Sequence, residues 1–269
     1  MTPQLEEAAR RIVSARTTHT PFAGLPAGLQ PRSEAVGYDL QDMVRDQLIA
    51  AGQGRLVGYK IGCTTRVMQE YLGIDHPCAG NVLARGLLRS GAVLPSGVYV
   101  RPGIECELAV ELWSDLTPAQ APFDAAKVAA AVGGVFAAIE VVDDRYVHWR
   151  SLDAPTLIAD DFFHAGLVLG RRQTGWPPVT LAADLSGLAG IAWVNGQEVG
   201  RGRGADILGN PLEALAWLAN HCARRGVTMP RGTLVSLGSL IETHWLEPGD
   251  VVDVEIERLG PVKLTYSDR

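Results

Sequence analysis

The sequence lacks the long apolar run that a membrane-spanning helix requires. Such a helix needs about 18 consecutive apolar residues, and glycine, proline or charged residues interrupt every apolar stretch of this chain before that length. The first residues, MTPQLEEAARR, also lack the apolar segment of a secretory signal peptide. We therefore expect no membrane partner and a cytoplasmic location.

Basic charge and cysteine are also scarce. The chain has 24 Lys and Arg against 30 Asp and Glu, a net charge of −6, and no basic stripe, which argues against nucleic acid as a partner. The four cysteines are scattered without a C-x-x-C pair or zinc-ligand spacing. We expect reduced thiols, with Cys106 buried in the core. The G-x-S-x-G motif of serine hydrolases is absent as well.

The chain contains enough residues for one large domain or two small ones, and its pattern changes near residue 55. Before that point LEEAARRIVSAR and YDLQDMVRDQLIAAG read as helices, the second with Asp39 as a possible N-cap and Gly52 at its end. From LVGYKIG onward, short β segments alternate with Gly and Pro. We predict an α+β fold, with a small helical region over 1–55 and one β-rich structural unit over 56–269.

Three later segments have clear local signatures. DAAKVAAAVGGVFAAIEVVDD predicts a helix followed by a strand that ends near Glu140. IAWVNGQEVG predicts a hairpin, because Asn195-Gly196 suits a type I′ turn. NPLEALAWLANHCARRG predicts a helix that is capped by Asn210 and ends at Gly226.

The segment GIECELAVEL, residues 103–112, carries the first candidate site. Its apolar and polar residues alternate, so Glu105 and Glu107 point to the same face of a strand, with Cβ atoms roughly 6–7 Å apart. Together with Glu140, which lies among apolar neighbours, they could hold a divalent cation through oxygen ligands. The alternative is a solvated sheet face, with Glu140 at the end of an element. Spacing alone favours the solvated face.

Other polar residues have similarly open interpretations. Lys60 in VGYKIG either extends to water or lies in a pocket with a shifted pKa. GRGRGADILGNP fails both common nucleotide-binding spacings, although a glycine-rich loop could approach a small anion. Gly238-Ser239 could offer an N–H group and a hydroxyl to a carboxylate, or could be a strand bend. IADDFFHAG contains acids that could enter a pocket, while His164 alone is more often structural.

Taken in order, five segments resemble the 2-keto-4-pentenoate hydratases and 4-oxalocrotonate decarboxylases of the fumarylacetoacetate hydrolase superfamily. The resemblance covers about residues 35–267, and its most specific element is the E-x-E strand with a glutamate downstream. The segments are VGYKIGCTTRVMQEYLGID, RPGIECELAVEL, AAIEVVDDR, GRGADILGNPLEALAWLA and GSL…W…PGD.

This resemblance implies a mixed β-roll of the fumarylacetoacetate hydrolase C-terminal-domain type, with flanking helices, and a homo-oligomer that could associate with a related pathway enzyme. It also implies bound Mg²⁺ or Mn²⁺ and a small 2-oxo acid substrate. The roles it transfers are metal ligation by Glu105, Glu107 and Glu140, catalysis by Lys60 and Asp160, and substrate binding by Gly238, Ser239 and Arg203.

The implied reaction is the addition of water to a 2-hydroxy-2,4-dienoate, of the 2-oxopent-4-enoate type, in the catabolism of aromatic compounds. Alternatives are decarboxylation of a 2-oxo-3-enedioate, C–C hydrolysis of an acylpyruvate-like substrate, and a non-catalytic partner subunit. The chain departs from the family pattern in HPCAG, where Cys78 and Ala79 replace the usual residues, and in DDFF, where Phe163 replaces a small polar residue.

Overall fold

A computed structural model describes residues 2–268 and contains two β-sheets surrounded by helices. The helices are α1 (Pro3–Thr18), α2 (Glu34–Leu48), α3 (Arg66–Leu72), α4 (Ala125–Ala129), α5 (Ala154–Ala159), α6 (Pro178–Gly187) and α7 (Pro211–Arg224). The strands are β1 (Leu56–Gly62), β2 (Cys78–Leu83), β3 (Leu87–Arg89), β4 (Ala92–Leu94), β5 (Pro102–Leu112), β6 (Val132–Asp143), β7 (His164–Leu169), β8 (Ala189–Val194), β9 (Gln197–Arg203), β10 (Leu234–Ser239), β11 (His244–Trp245), β12 (Val251–Ile256) and β13 (Gly260–Tyr266).

The larger sheet has the order β2-β1-β10-β5-β6-β7-β3, and β11 also pairs with β5. Strands β1 and β10 are parallel, whereas β5 is antiparallel to both β10 and β6. The two longest strands, β5 and β6, therefore lie side by side near the middle of the sheet. This position places Glu105, Glu107 and Glu140 away from the edges of the sheet.

The smaller sheet has the order β4-β13-β12-β8-β9. The alternating residues Val252, Val254 and Ile256 of β12 are fully buried, as their period-two spacing predicts. Asn195 and Gly196 have φ values of 51° and 77° in the β8–β9 turn, which confirms the predicted hairpin. One apolar cluster joins both sheets with α7, and it includes the buried Cys106.

The helices at the N-terminus pack on the outer side of the larger sheet. Residues of α1 and α2 form a second apolar cluster with Leu83 and Ala159. The buried Gln41 donates hydrogen bonds from its amide to the carbonyl oxygens of Ala79 and Ile158, at 2.8 and 2.7 Å. The domain division at residues 55 and 56 stays a prediction. No helix within residues 2–268 has the length and apolarity to cross a bilayer.

Two predicted boundaries were wrong. Helix α2 begins at Glu34, because the Ser33 hydroxyl accepts a hydrogen bond from the Val36 N–H at 3.3 Å; Asp39 lies inside the helix. Strand β6 continues past Glu140 to Asp143, because its pairing with β5 continues to that residue. Glu140 is therefore an interior strand residue with no exposed surface.

Candidate metal centre and active site

Sheet register brings three carboxylates together. Glu105 of β5 lies opposite Glu140 of β6, and Glu107 follows two residues later on the same face of β5. One carboxylate oxygen from each residue lies within 4.8 Å of the others. Glu107 and Glu140 are buried, and Glu105 is partly exposed. The solvated-face interpretation is therefore wrong, since a wet surface would expose all three residues.

Hydrogen bonds fix two of these carboxylates. Glu107 Oε2 accepts from the Ser236 hydroxyl at 2.6 Å and from the Gly238 N–H at 2.9 Å, both on β10. Glu105 Oε1 accepts from the Thr243 hydroxyl at 2.5 Å. These donors hold the carboxylate oxygens in one orientation, as the hydrogen-bond partners of metal ligands do.

Glu140 has a different environment on each oxygen. Its Oε1 lies 3.1 Å from Lys60 Nζ and 2.8 Å from His164 Nδ1. Its Oε2 is buried, with no hydrogen-bond partner among residues 2–268. A buried carboxylate oxygen without a partner is costly. A divalent cation between the three glutamates would satisfy it with a hard oxygen-only ligand set, so the residues fit Mg²⁺ or Mn²⁺.

The electrostatics of the cluster are dominated by crowded negative charge. Burial raises the pKa of Glu107 well above its ordinary value, and Glu140 and Glu105 raise it further. Burial and Glu140 also raise the pKa of Glu105. Although burial acts in the opposite direction, Lys60 and His164 hold the pKa of Glu140 below its ordinary value. The charged forms of Glu105 and Glu107 are therefore disfavoured by their surroundings, and a bound cation would stabilise them.

Lys60 is buried with 3% of its surface exposed, so it does not extend to water. Burial lowers its pKa, but the charges of Glu140, Glu105 and Glu107 outweigh that effect and raise the pKa above its ordinary value. Of the two interpretations of Lys60, the structure fits the pocket with a shifted pKa, and the shift is upward. Lys60 lines a cavity, and these carboxylates favour its ammonium form.

Gly238 has a backbone conformation that favours glycine. Its φ is 131°, and a Cβ at this position would lie 2.5 Å from Thr64 Oγ1. This conformation directs the Gly238 N–H at Glu107. The neighbouring Ser239 lines the cavity, where its hydroxyl lies 2.8 Å from the carbonyl oxygen of Ile241. Gly238 thus contacts the carboxylate cluster, and Ser239 faces the cavity.

A cavity of about 590 Å³ opens in front of Lys60 and Glu105. Its charged lining residues are Lys60, Glu105, Asp144, Arg201, Asp206 and Glu242. Its apolar lining residues are Ile61, Val67, Met68, Val142, Trp149, Phe162, Phe163, Leu240, Ile241 and Trp245. Cys63 also lines this cavity, whereas Cys78, which replaces a family-typical residue, is buried and is absent from the lining.

Asp160 is not among the residues that line this cavity, and its role as a catalytic acid stays a prediction. It is 1% exposed, and its Oδ2 accepts from Arg145 at 2.9 Å while Oδ1 lies 3.5 Å from Arg16 Nη1. The Asp160 carboxylate thus forms ion pairs with two guanidinium groups. The adjacent Asp161 pairs with Arg16 at 2.8 Å. Both acids anchor the chain between α5 and β7.

Arg203 is not among the residues that line the cavity either, and its role in substrate binding stays a prediction. It is exposed, its N–H donates to Asp206 Oδ2 at 2.7 Å, and its guanidinium lies 3.5 Å from the Gly187 carbonyl oxygen. Arg201, two residues earlier, lines the cavity instead. The guanidinium of Arg201 is bound by Glu198, with Nε and Oε1 2.6 Å apart.

The glycines of GRGRGADILGNP permit close packing of backbones. A Cβ at Gly202 would lie 1.9 Å from the Leu240 carbonyl oxygen, and a Cβ at Gly204 would lie 1.9 Å from the Leu185 carbonyl oxygen. This packing explains Gly202 and Gly204 without a phosphate. Asn210 caps α7 by accepting the Leu212 N–H at 3.0 Å.

Sequence reasoning missed three polar residues that contact the glutamates. His164 opens β7 and bonds Glu140, Thr243 bonds Glu105, and Ser236 bonds Glu107. The available signal for His164 was its place at the start of an apolar strand, next to a segment rich in acids. Ser236 and Thr243 had no such signal, because their roles depend on how β10 and the segment after it pair with β5.

The comparisons with known proteins agree with this architecture. Residues 86–266 match the family Fumarylacetoacetate (FAA) hydrolase C-terminal. The chain is 33% identical to 2-keto-4-pentenoate hydratase of Paraburkholderia phymatum, over 98% of each chain. It is 30% identical to 4-oxalocrotonate decarboxylase of Pseudomonas putida, over 86% of this chain and 85% of the relative.

Solved structures have the same fold. The 4-oxalocrotonate decarboxylase from Pseudomonas putida G7, complexed with magnesium and adipate, superposes with a TM-score of 0.90 at 27% identity, over 99% of this chain and 98% of that one. Fumarylpyruvate hydrolase from Pseudomonas aeruginosa, at 15% identity, superposes with a TM-score of 0.61 over 80% of this chain and 90% of that one, and shares the fold. The mixed α+β architecture predicted from the sequence is confirmed. With a family match over most of its length, the chain belongs to the fumarylacetoacetate hydrolase family.

Proposed function

We propose that this protein is a metal-dependent hydro-lyase that adds water to a 2-hydroxy-2,4-dienoate and gives a 4-hydroxy-2-oxo acid in the catabolism of aromatic compounds. The observation that carries the proposal is the arrangement of Glu105, Glu107 and Glu140 around a buried lysine at the wall of a cavity. Relatives that match nearly the whole chain bear the name 2-keto-4-pentenoate hydratase.

We propose Mg²⁺ as the resident metal, with Mn²⁺ as a substitute, because the available ligands are all carboxylate oxygens. When bound, such a cation supplies a Lewis acid for the carboxylate and C2 oxygens of a 2-oxo acid. The three glutamates are the ligands in this proposal. Ser236, Thr243 and the Gly238 N–H hold Glu107 and Glu105 in place through the hydrogen bonds described above.

Lys60 is the proposed proton donor. Its Nζ lies 3.1 Å from Glu140, at the inner wall of the cavity. A charged ammonium there can protonate C5 of the dienol, and the amine that remains takes up the proton of the C2 hydroxyl, which leaves the α,β-unsaturated ketone. Water then adds across the C3–C4 double bond, with its hydroxyl going to C4 and its proton to C3. Proton transfer from a positioned side chain contributes typically 10²–10⁴-fold to a rate. Asp160 has no part in this scheme, because its carboxylate is bound by arginines.

A decarboxylase acting on a 2-oxo-3-enedioate is the second candidate. Its support is the decarboxylase relative at 30% identity and the superposed decarboxylase structure. A second substrate carboxylate needs a cation in the outer cavity. Among the described residues that line the cavity, Arg201 is the only cation besides Lys60, and Glu198 already binds it. This charge distribution favours the hydratase. No observation specifically favours C–C hydrolysis or a non-catalytic partner role.

The two activities separate in one experiment. The purified protein is supplied with Mg²⁺ and either 2-hydroxypenta-2,4-dienoate or 4-oxalocrotonate. Loss of dienoate absorbance and release of CO₂ are followed in parallel. We expect hydration that stops when the metal is chelated, with little CO₂ from 4-oxalocrotonate. Faster CO₂ release than hydration would assign the decarboxylase. Absence of both reactions in a folded, metal-bound protein would leave the non-catalytic role.

We further propose that the protein acts in the cytoplasm as a homo-oligomer, and that association with a related pathway enzyme is open to it. All four cysteines are free and buried, which fits a reducing compartment. Several large apolar side chains are exposed, including Trp113 at 56% and Val93 at 63%, and contacts between subunits would cover such groups. Sedimentation velocity would measure the oligomeric state.

A further inference from the structure

The outer part of the cavity is apolar and aromatic. Phe163 and Trp149 meet edge to face there, with ring centroids 5.9 Å apart and planes at 77°. Val67 and Met68 of α3 extend this wall. On its other side Trp149 contacts Tyr71, with ring centroids 5.7 Å apart. These side chains form a continuous surface that offers a ligand dispersion contacts but few hydrogen bonds.

A strained backbone presents this wall to the cavity. Asp161, Phe162 and Phe163 have consecutive φ values of 53°, 47° and 66°, which non-glycine residues rarely adopt. Asp161 fixes the segment through bonds of its Oδ1 to the backbone and side-chain N–H groups of Asn81, at 2.8 and 3.1 Å. Such strain persists only where the surroundings enforce it, and it clusters at functional sites.

The charge of the outer cavity disfavours a second substrate carboxylate. Asp144, Asp206 and Glu242 are acids in the cavity lining, and Asp144 pairs with Arg101 at 3.5 Å. Besides Lys60, Arg201 is the cation in the described lining. Its guanidinium is bound by Glu198 through two nitrogen–oxygen contacts. Like charges raise the cost of placing a further anion there. A substrate with a neutral tail avoids this cost.

The size of the cavity points in the same direction. Its volume of about 590 Å³ falls in the range of roughly 300–1,000 Å³ that is typical of sites for larger organic ligands. A five-carbon acid held by the carboxylate cluster would leave most of the aromatic wall in contact with water. An alkyl or aryl group on the distal carbon of the substrate would cover it.

We infer that this site takes monocarboxylic 2-hydroxy-dienoates with an apolar alkyl or aryl tail, in preference to the five-carbon acid or to a dicarboxylate. This inference rests on the proposed function, because it assumes that the carboxyl end of the substrate lies at the glutamate cluster. It assigns Phe163 and Trp149 as specificity-determining residues that contact the tail.

Saturated 2-oxo acids test the inference by binding alone, without turnover. Calorimetry in the presence of Mg²⁺ compares pyruvate, 2-oxohexanoate, 2-oxo-4-phenylbutanoate and 2-oxohexanedioate. We expect the two apolar acids to bind at least about tenfold more tightly than pyruvate, since a single methylene group in a hydrophobic pocket can provide about that factor. We expect 2-oxohexanedioate to bind no more tightly than pyruvate.

Variants of Phe163 and Trp149 test whether the aromatic wall causes the tighter binding of the apolar acids. Phe163→Ser and Trp149→Leu should each remove most of the advantage of the apolar acids while pyruvate affinity stays within about twofold. Pyruvate binding thus serves as the check that the variant is folded. Phe163→Leu keeps an apolar side chain and should retain an intermediate advantage for the same ligands, which covers the case in which Phe163→Ser does not fold.

Several outcomes would overturn the inference. Equal affinities for pyruvate and 2-oxohexanoate would show that the wall does not contact the tail. Tightest binding of 2-oxohexanedioate, together with its selective loss in Arg201→Gln, would identify Arg201 as the receptor of a second carboxylate. Absence of pyruvate binding in a folded, Mg²⁺-loaded protein would reject the proposed function itself, and the inference with it.

Discussion

Glu140 lies directly opposite Glu105 across the antiparallel pair of β5 and β6, in the interior of the larger sheet. Two carboxylates placed side by side repel each other, and Glu107 adds a third. Lys60 is the only lysine or arginine among the described residues that forms an ion pair with any of them. This charge imbalance inside the sheet is the physical basis for the predictions on metal binding that follow.

Replacing Glu107 with glutamine should abolish tight metal binding. The substitution keeps the size of the side chain and removes one charged ligand from the set of three. We expect the Mg²⁺ or Mn²⁺ affinity to fall by more than the 10–100-fold that is typical when an outer partner of a ligand is lost. Isothermal titration calorimetry measures the affinity directly. The fold should persist, because a neutral amide relieves the repulsion among buried carboxylates.

Glu111 provides the matched control for this measurement. It lies on the same strand but pairs with Arg172 and takes no part in the cluster. Glu111→Gln should leave metal affinity within about twofold of the unmodified protein, since surface ion pairs contribute little. Equal losses in Glu107→Gln and Glu111→Gln, or none in either, would contradict the assignment of the metal site.

Replacing Lys60 with methionine should separate catalysis from metal binding. Loss of the ammonium removes the proposed proton donor, so we expect kcat to fall roughly 10²–10⁴-fold. Metal affinity should stay the same or rise, because a positive charge beside the cluster has been removed. Turnover assays and metal titrations on the same preparation test both parts.

Lys60→Arg tests whether a positive charge alone is sufficient for turnover, and we expect that it is not. The Lys60 side chain is 4% exposed and its Nζ lies 3.1 Å from Glu140 Oε1, so the wider guanidinium has little room. We expect activity close to that of Lys60→Met. Near-normal turnover in either variant would remove Lys60 from the proposed mechanism.

The sequence predicts those features of the site that depend on a single strand, and it does not predict those that depend on pairing between distant strands. Period-two spacing placed Glu105 and Glu107 on one face of β5, and the structure confirms that arrangement. That face could not be identified as buried from spacing, because its burial depends on β6 and β10, which lie elsewhere in the chain. The apolar neighbours of Glu140 suggested it as the third ligand, the family resemblance agreed, and the register of β5 and β6 places it opposite Glu105.

The contacts of Asp160 and Arg203 could not be predicted from their own segments. Both lie in segments that resemble the family, yet Arg145 and Arg16 bind Asp160, and Arg203 lies on the exposed side of its turn. A local pattern does not reveal which distant arginine reaches a buried acid. The same reason explains why Ser236 and Thr243 were not predicted.

Removing the imidazole of His164 should weaken metal binding indirectly. His164 Nδ1 lies 2.8 Å from Glu140 Oε1 and holds that carboxylate in position. We expect His164→Leu to lower metal affinity about 10–100-fold. His164→Asn places an amide donor near the Nδ1 position and should retain most of the affinity. Calorimetry on both variants tests this, and equal losses in the two would show that packing rather than the hydrogen bond matters.

Gly238→Ala should destabilise the fold substantially. At a φ of 131° an added Cβ would lie 2.5 Å from Thr64 Oγ1, so steric overlap adds to backbone strain. We expect a loss of about 3 kcal/mol in the free energy of unfolding, measured by urea denaturation. Gly232 is the control, since its φ is 85° with nothing within 4 Å of a Cβ. Gly232→Ala should cost only about 1 kcal/mol, and equal costs would contradict the proposed overlap.

His221 should make stability depend on pH far from the carboxylate cluster. Burial, followed by the charges of Arg225 and Arg224, lowers its pKa from the ordinary value of 6.5 to about 4. Between these values the unfolded chain binds a proton that the folded protein does not, so stability is lost as the pH falls through this window. Urea denaturation from pH 4 to 7 should therefore show a smaller loss in the free energy of unfolding for His221→Gln than for the unmodified protein. The difference should be on the order of 1 kcal/mol, because solvent partly screens this group. His148→Gln changes an exposed histidine and should have the same pH profile of unfolding free energy as the unmodified protein. Identical profiles for all three proteins would show that His221 is not the group responsible.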